Sequence, residues 1–248
     1  MTQNLLNDEA SVTELDISHL VTEDETPVDN FQSEKQQRLL VEPLYSSWSP
    51  GVPFIAAANV GLFYALKQES IVPDAMLSLG LEMPTDWSQK QSRSYFVWEF
   101  GKVPEVCIEI VSNREGDELT LSRKSQQKGK TATKKEIYAR IGVPYYAVFD
   151  PLQRLQKPDE MNGSLLRVWA LVEGEYEELP SPYWLRTVGV GLMLWEGAFE
   201  GVMGTWLRWC DRDRQIILTG AEGRELERQR AERLAERLRA MGIDPNEV

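Results

Sequence analysis

The chain has 248 residues, 42% of them hydrophobic, and a formal net charge of −12, values typical of a globular protein with one large domain and appendages. Two cysteines and a single histidine exclude a disulfide scaffold, a cysteine-rich zinc ribbon and an HExxH zinc protease, and they argue against Ser-His-Asp or Cys-His catalysis. Any catalysis is therefore expected to use carboxylates and lysines, with or without a metal ion.

The N-terminal part of the chain is acidic. Residues 1–30 contain eight Asp and Glu residues and no Lys or Arg, so residues 1–32 are predicted to form a flexible leader. No basic stretch followed by an apolar one is found there, which argues against a signal peptide. The apolar run 188–207 is interrupted by Glu196 and Glu200. We therefore expect no membrane span and a cytoplasmic location.

A first helix is predicted from Ser33, with Gln36 as its capping partner, to about Leu44. Apolar runs then alternate with stretches rich in Pro, Asp and Ser, as strands alternate with loops. The predicted strands in this part of the chain are 60–66, 75–79, 95–98, 106–111 and 145–149.

The segment Val106–Val111 is apolar except for Glu109, as expected of a strand buried on both faces. A helix is predicted over Ala132–Ile141, between this strand and the next one. Strand, crossover helix and strand form a βαβ unit, which predicts a parallel or mixed sheet. A hairpin that includes residues 165–172 is expected to follow.

Residues 221–241 are predicted to form a separate helix with many Glu and Arg residues. The spacing of Ala231, Leu234, Leu238 and Met241 is that of a short coiled-coil stripe. A self-association helix, and with it a homodimer, and an exposed helix with internal ion pairs both fit this pattern.

Two glycine-containing segments do not make nucleotide-binding loops. In Lys128-Gly129-Lys130-Thr131, the position five residues before Gly129 is Lys124, whereas a phosphate loop requires glycine there. The pair Gly189 and Gly191 has neither a third glycine nor a following helix. Both motifs are rejected.

The residues that indicate chemistry are acidic. Asp74 follows a proline at the start of a predicted strand, and Glu109 lies inside an apolar one. A lone buried carboxylate costs several kcal/mol unless it is paired or bound to a cation. Glu109 could be paired with a Lys or Arg, or the two carboxylates could share one Mg²⁺, with the backbone carbonyl of Ile110 as a further oxygen ligand.

A basic segment lies between the two strands of the βαβ unit. Residues 112–140 contain eight Lys and Arg residues and four Asp and Glu residues, a local charge of +4. Such a segment is either a solvated surface or a contact for phosphates. The candidate phosphate contacts are Arg123, Lys124, Lys128, Lys130 and Lys135.

The chain resembles a known family in a series of motifs. They are Pro73-Asp74, Glu109-Ile-Val-Ser112, Lys134-x-x-x-Tyr138-Ala-x-x-Gly142-Val-Pro144-x-Tyr146 and Phe149-Asp150-Pro151. Their order and spacing resemble those of a restriction-endonuclease-like family abundant in cyanobacteria, which is placed in the PD-(D/E)XK nuclease superfamily. The resemblance covers about residues 33–200.

The resemblance implies an α/β fold with an αβββαβ core, a mixed central sheet flanked by helices. Together with the acidic leader 1–32 and the charged C-terminal helix region 216–248, it delimits an endonuclease-like domain over 33–215. It also implies a metal ion on Asp74 and Glu109, either Mg²⁺ or Mn²⁺.

The chain departs from the superfamily pattern at one important position. The lysine of the usual Glu-x-Lys motif would stand at position 111, which is Val111. The resemblance implies that Lys134, from the following helix, replaces it. For the first helix, Glu34 is a modest candidate for a further acidic residue, and Asp150 is interpreted as a turn-forming residue before proline.

These residues together suggest a Mg²⁺-dependent endonuclease acting on DNA. The alternative is a catalytically degenerate relative that binds nucleic acid or a protein partner, which the valine at position 111 and the net charge of −12 favour. The aromatic residues Tyr183, Trp184 and Trp195 are interpreted as core and sheet cover rather than as base-stacking residues, because no basic residue is interleaved with them.

Overall fold

The computed structural model describes residues 16–18, 20, 30–66 and 70–245. Five α-helices and eleven β-strands lie within these ranges. The helices are α1 (Phe31–Ser47), α2 (Val97–Phe100), α3 (Arg123–Gln127), α4 (Lys134–Ile141) and α5 (Gly220–Ala240). The strands are β1 (Phe54–Ala57), β2 (Leu62–Phe63), β3 (Ala75–Leu79), β4 (Tyr95–Phe96), β5 (Val106–Ile110), β6 (Tyr145–Phe149), β7 (Leu166–Val172), β8 (Glu175–Glu178), β9 (Tyr183–Leu185), β10 (Val190–Phe199) and β11 (Val202–Cys210).

A six-stranded mixed sheet forms the centre of the molecule, in the order β1-β3-β5-β6-β7-β8. Strands β5 and β6 are parallel, and the other neighbours in this sheet are antiparallel. The parallel pair is connected through α3 and α4, as a parallel pair requires a crossover. The elements α1, β1, β3, β5, α4 and β6 confirm the predicted αβββαβ order and the mixed α/β class.

The two faces of the central sheet pack against different layers. One face forms an apolar core with α1 and with the smaller sheet β9–β11, through residues such as Leu40, Ile108 and Trp209. The other face packs against α4 and carries an aromatic group that includes Tyr138 and Tyr146. Alternate residues of β5 therefore point into two different cores, as the pleat of a strand dictates.

Helix α1 begins at Phe31, two residues earlier than predicted. The side chain of Asn30 accepts hydrogen bonds from the backbone N–H groups of Gln32 and Ser33, so Asn30 caps the helix instead of Ser33. The predicted capping partner Gln36 is fully buried and has a different role. Its side-chain nitrogen donates to the carbonyl of Leu207 at 2.8 Å, and its side-chain oxygen accepts from the N–H of the same residue at 2.9 Å.

Other predicted strands are shorter than the sequence indicates. The apolar run 60–66 contributes only the two-residue strand β2. The predicted strand 95–98 ends at Phe96, because the chain turns into α2 at Val97. The apolar run 188–207 forms most of the β10–β11 hairpin. Among the described residues, no helix is long and apolar enough to cross a membrane.

The predicted leader lies mostly outside the described residues, as does His19. Of its described part, Leu20 packs against Phe63 and Phe96, and the ammonium group of Lys90 donates to the carbonyls of Ser18 and Leu20. The predicted boundaries at residues 32 and 215 stay predictions.

Helix α5 has no buried residue, and most of its positions are exposed. Its start is fixed by a capping box between Thr219 and Glu222, and Glu222 also forms an ion pair at 2.7 Å with the buried guanidinium of Arg208. Ion pairs within the helix join Glu and Arg residues, and Leu234 stays exposed. Self-association through this helix stays a prediction.

The contact between α1 and β11 generates a first prediction. We expect Gln36→Ala to lower the free energy of unfolding by about 2–4 kcal/mol, because the backbone N–H and carbonyl of Leu207 would both lose their partner in a buried place. Urea denaturation measures this change. The exposed Gln127→Ala is the matched control and should change stability by less than about 0.5 kcal/mol, and an equal effect of the two variants would contradict the proposed importance of this contact.

Candidate active site

Two acidic residues meet on neighbouring strands. Asp74 immediately precedes β3, and Glu109 lies in β5. In the antiparallel pairing of these strands Ala75 lies opposite Ile108, so one further step of the register places Asp74 opposite Glu109. The structure thus brings together the two carboxylates that the sequence analysis singled out.

Asp74 is held from two sides. Its Oδ2 accepts a hydrogen bond from the backbone N–H of Ile110 at 2.6 Å. Its Oδ1 accepts one from the side-chain nitrogen of Gln37 in α1 at 2.9 Å, and the oxygen of Gln37 accepts in turn from the side chain of Asn59 at 3.0 Å. These bonds fix the orientation of a carboxylate that is only 8% exposed.

Gln37 was missed by the sequence analysis, which considered Glu34 as the acidic contribution of the first helix. Glu34 instead forms an ion pair with Arg38 at 2.5 Å on an exposed part of α1. A usable indication of Gln37 exists in the sequence, because it stands three residues before Leu40 and seven before Leu44, on the buried stripe of the helix. A polar residue on such a stripe needs a buried hydrogen-bonding partner.

Glu109 is 1% exposed and receives two hydrogen bonds from α4. The ammonium nitrogen of Lys134 lies 2.6 Å from its Oε2, and the hydroxyl of Tyr138 donates to its Oε1 at 2.8 Å. Lys134 and Tyr138 are four residues apart, so both side chains project from the same face of the helix. Lys134 also donates to the carbonyl of Val72 at 3.0 Å.

Burial and neighbouring charges determine the protonation states of Glu109, Lys134 and Tyr138. Burial raises the pKa of Glu109 to about 8, although the positive charge of Lys134 opposes the rise, and the charge of Asp74 adds to it. Burial lowers the pKa of Lys134, but the charges of Glu109 and Asp74 outweigh this and raise it above its ordinary value. Burial raises the pKa of Tyr138 well above its ordinary value, so its hydroxyl remains a hydrogen-bond donor.

The positive charge of the site originates from α4 and not from β5. Val111, at the position of the usual lysine, is buried and belongs to the same apolar cluster as Tyr138. Lys134, whose side chain is 29% exposed, extends to Glu109 from the start of α4. This is the arrangement expected from the resemblance, although the roles of these residues stay untested predictions.

The donor set is compatible with a hard divalent cation. Among the described residues, no group of three or more His, Cys, Asp or Glu side chains is arranged to hold a metal ion. A cation would therefore depend on Asp74 and Glu109, with neutral oxygens or water for the remaining ligands. Mg²⁺ is commonly bound in this way, through one or two carboxylates and several waters.

A further buried carboxylate, Glu118, was not found from the sequence. It is 7% exposed, its Oε2 has no hydrogen-bond partner, and burial raises its pKa while the charge of Lys134 opposes the rise. The loop that carries it is tied to α4, because the N–H groups of Lys134 and Lys135 donate to the carbonyls of Asp117 and Glu118. Its position in a polar loop gave no indication of burial.

The basic residues proposed as phosphate contacts fall into two groups. Lys128 pairs with Glu115 at 3.0 Å, Lys130 pairs with Asp117, and Lys135 lies 4.2 Å from the ring centroid of Trp169. Arg123 and Lys124 of α3 are exposed, and no ion pair engages either of them within the described ranges. Arg123 and Lys124 therefore present their charges to solvent.

Asp150 has the structural role that was predicted for it. Its side-chain oxygens accept hydrogen bonds from the N–H groups of Arg154 and Leu155 and from the side chain of Gln156. It therefore stabilises the turn after β6.

The chain is similar to a family of nucleases and to one of the solved structures. The sequence model of the Uma2 family, described as "Putative restriction endonuclease", matches residues 21–187. A solved structure from Anabaena variabilis, described as a "putative nuclease belonging to DUF820", is similar at 17% identity, with 63% of this chain and 71% of that chain covered and a TM-score of 0.38. Curated proteins give no match.

The raised pKa of Glu109 predicts how stability varies with pH. In the folded protein Glu109 keeps its proton up to about pH 8, whereas in the unfolded chain it loses it near its ordinary value. Between these two values the folded state binds more protons, so the free energy of unfolding should fall, by a few kcal/mol at most, as pH rises through this window. Urea denaturation in EDTA at a series of pH values measures the slope.

The difference between two variants isolates this contribution. Glu109→Gln removes the titrating group and should flatten the slope, whereas Glu177→Gln, at an exposed position of β8, should leave it as in the unsubstituted protein. A slope that Glu109→Gln does not change would contradict the assignment of this titration to Glu109.

Proposed function

The chain belongs to the Uma2 family, described as "Putative restriction endonuclease", and we propose that it is a metal-dependent endonuclease that hydrolyses phosphodiester bonds in DNA in the cytoplasm. Mg²⁺ is the proposed cofactor and Mn²⁺ its alternative. The observation that carries this proposal is that Lys134 lies 2.6 Å from Glu109, while the register places Asp74 opposite the same residue. Two carboxylates and one ammonium group thus occupy a single site.

In this proposal Asp74 and Glu109 hold the cation, with the backbone carbonyl of Ile110 as a third ligand. The ion, when bound, would supply positive charge to the scissile phosphate and lower the pKa of a bound water. The residues present fit this role, since the donors are all oxygens, and a buried carboxylate with a pKa of about 8 is stabilised in its ionised form by a nearby cation.

The surrounding residues orient the two carboxylates. Gln37 and the N–H of Ile110 fix the two oxygens of Asp74, and Tyr138 fixes one oxygen of Glu109. Such bonds hold ligands in place before the substrate arrives, which is how supporting hydrogen bonds contribute to metal sites.

Lys134 is proposed to act on the phosphate. Its ammonium group stays protonated because its pKa is raised, and its side chain is more exposed than that of Glu109. It can donate to a phosphate oxygen and stabilise the negative charge that develops in the transition state. Arg123 and Lys124 are proposed to contact neighbouring phosphates and to offset locally the net charge of −12.

A second function rests on a specific observation. Val111 replaces the usual lysine, and Lys134 is engaged in an ion pair with Glu109. A protein that kept the fold but bound nucleic acid or a protein partner without cleaving would tolerate both features. The cleavage experiment below separates this alternative from the nuclease.

We expect the purified protein to cut plasmid DNA or oligonucleotides in Mg²⁺ or Mn²⁺ and not in EDTA. Asp74→Asn, Glu109→Gln and Lys134→Met should each reduce the rate at least about a hundredfold. The first two would weaken the binding of the cation and the third removes the ammonium group, so each lowers the stabilisation of the charge on the reacting phosphate. Gel-based initial rates with DNA and RNA substrates measure this.

The controls are Glu177→Gln and Lys157→Met, two exposed positions outside the site, which should cut at the unsubstituted rate. Metal-dependent cutting that persists in Glu109→Gln would exclude the assigned site. Binding of nucleic acid without any cutting by the unsubstituted protein would favour the non-catalytic alternative.

The basic residues should contribute unequally to DNA binding. We expect the double substitution Arg123→Ala/Lys124→Ala to weaken binding and to reduce the slope of log affinity against log salt, by roughly 0.9 for each lost contact with duplex phosphates. Lys128→Ala/Lys130→Ala should have a smaller effect, because these lysines pair with Glu115 and Asp117. Fluorescence anisotropy at several salt concentrations measures both, and equal effects would contradict this division.

A further inference from the structure

A cavity of about 870 Å³ lies between the central sheet and the smaller sheet β9–β11. Its walls come from four separate segments of the chain: residues 164–166 at the start of β7, 181–184 and 186 around β9, 192–194 in β10, and 210–212 and 214 at the end of β11 and in the turn after it. Its volume is within the range of about 300–1,000 Å³ that is usual for sites of small ligands. None of the residues assigned to the candidate active site lines it.

Three arginines line this cavity, Arg186, Arg212 and Arg214. All three are exposed, and no ion pair or side-chain hydrogen bond engages them within the part of the chain that the structure describes. The acid that lines the cavity with them is Asp211, whose Oδ1 already accepts the N–H groups of Asp213 and Gln215 in a turn. The lining therefore carries three positive charges against one negative charge on a chain that is strongly acidic overall.

An aromatic surface lies beside these arginines. Trp184 is half-buried and lies opposite Gly191 in the pairing of β9 with β10. A Cβ on Gly191 would lie 3.4 Å from the indole ring, 2.9 Å from the carbonyl of Tyr183 and 2.8 Å from the sulfur of Cys210, so glycine is what allows this close approach. The hydroxyl of Tyr183 donates to the carbonyl of Leu166 at 3.1 Å and anchors the strand.

Guanidinium groups recognise phosphate oxygens through pairs of parallel hydrogen bonds, and aromatic rings stack on nucleobases of any sequence. We propose that this cavity binds a phosphorylated nucleoside unit, with its base against Trp184 and its phosphate on Arg212 and Arg214. In this proposal the cavity is a subsite for one nucleotide of a single-stranded nucleic acid.

The position of the cavity connects it with the candidate active site. Ile110 pairs with Phe149, and Phe149 pairs with Leu166, which lines the cavity. These three residues lie at the same end of the neighbouring strands β5, β6 and β7. Two strand spacings separate the backbones of Ile110 and Leu166, which is roughly 10 Å. Glu109 and Lys134 lie on the face of the sheet that packs against α4, whereas the cavity lies on the face that packs against β9–β11, so a strand bound at both places would pass around this end of the sheet. The inference rests on the proposed nuclease function in this respect, since the cavity would hold a part of the strand next to the site of cleavage.

Only part of the cavity lies within the segment that the family model matches. The family match ends at residue 187, whereas Arg212, Arg214 and the walls from β10 and β11 lie beyond it. The interpretation of Tyr183 and Trp184 as sheet cover only was based on the lack of interleaved basic residues. The fold brings Arg212 and Arg214 from a distant turn to the same cavity as Arg186, which stands two residues after Trp184.

Binding without cleavage tests the inference. The full-length protein in EDTA is titrated into labelled single-stranded DNA and RNA oligonucleotides, and fluorescence anisotropy gives the dissociation constants. We expect Arg212→Ala/Arg214→Ala and, separately, Trp184→Leu to weaken binding at least about tenfold. The matched control is Arg233→Ala/Arg237→Ala, which removes the same charge from exposed positions of α5 and should bind as the unsubstituted protein does.

Circular dichroism shows whether the tryptophan variant folds. If it does not, the arginine variant alone tests the proposal. Competition by a nucleoside 5′-monophosphate would indicate that one unit is sufficient, and variant-sensitive binding without such competition would indicate that a linked strand is required; both support the subsite. Equal affinities of the arginine variant and the unsubstituted protein, or no binding by the latter, would overturn it.

The outcomes also separate this inference from the proposed function. Cleavage that depends on Glu109, together with unchanged binding by the cavity variants, would overturn the subsite alone. Binding through the cavity without any metal-dependent cleavage would overturn the nuclease alone.

Discussion

The burial of one carboxylate constrains much of this structure. Glu109 lies in a strand that is apolar on both faces, where an uncompensated charge would cost several kcal/mol. Its compensation comes from a single helix, since α4 provides both the ammonium group of Lys134 and the hydroxyl of Tyr138. The crossover between β5 and β6 must therefore deliver α4 to this face of the sheet, with its first turn above the end of β5.

The same constraint explains why a valine is acceptable two residues after Glu109. Val111 shares a face with Glu109 and packs in the apolar cluster of Tyr138, so it stabilises the contact between β5 and α4. Moving the lysine from the strand to the helix keeps a positive charge beside the carboxylate and allows the strand to be apolar throughout. The charge then depends on the position of α4, which the carbonyls of Asp117 and Glu118 hold at its N-terminus.

Sequence patterns predicted the parts of this site that depend on local structure. The strands β5 and β6 and helix α4 follow from apolar runs and from a glycine at the end of the helix, whereas the place of Lys134 in the site was implied by the family resemblance. Glu118 could not be found in this way, because its burial results from contacts between distant segments. The position of Gln37 on the buried stripe of α1 can be read from the sequence, but its partner Asp74 belongs to a distant segment. The start of α1 was predicted too late for a local reason, because Asn30 provides the cap in place of Ser33.

The charges of the site also impose an order on binding in the proposed mechanism. Without a cation, Asp74 would repel a phosphate, while Glu109 keeps its proton up to about pH 8 and Lys134 lies against it. Asp74 and Glu109 would hold a bound cation, whose charge would favour the ionised form of Glu109 and balance both carboxylates, so that the ammonium group of Lys134 could donate to the phosphate. Metal binding and substrate binding are therefore expected to support each other, and the free arginines and lysines outside the site attract the nucleic acid strand while this exchange takes place.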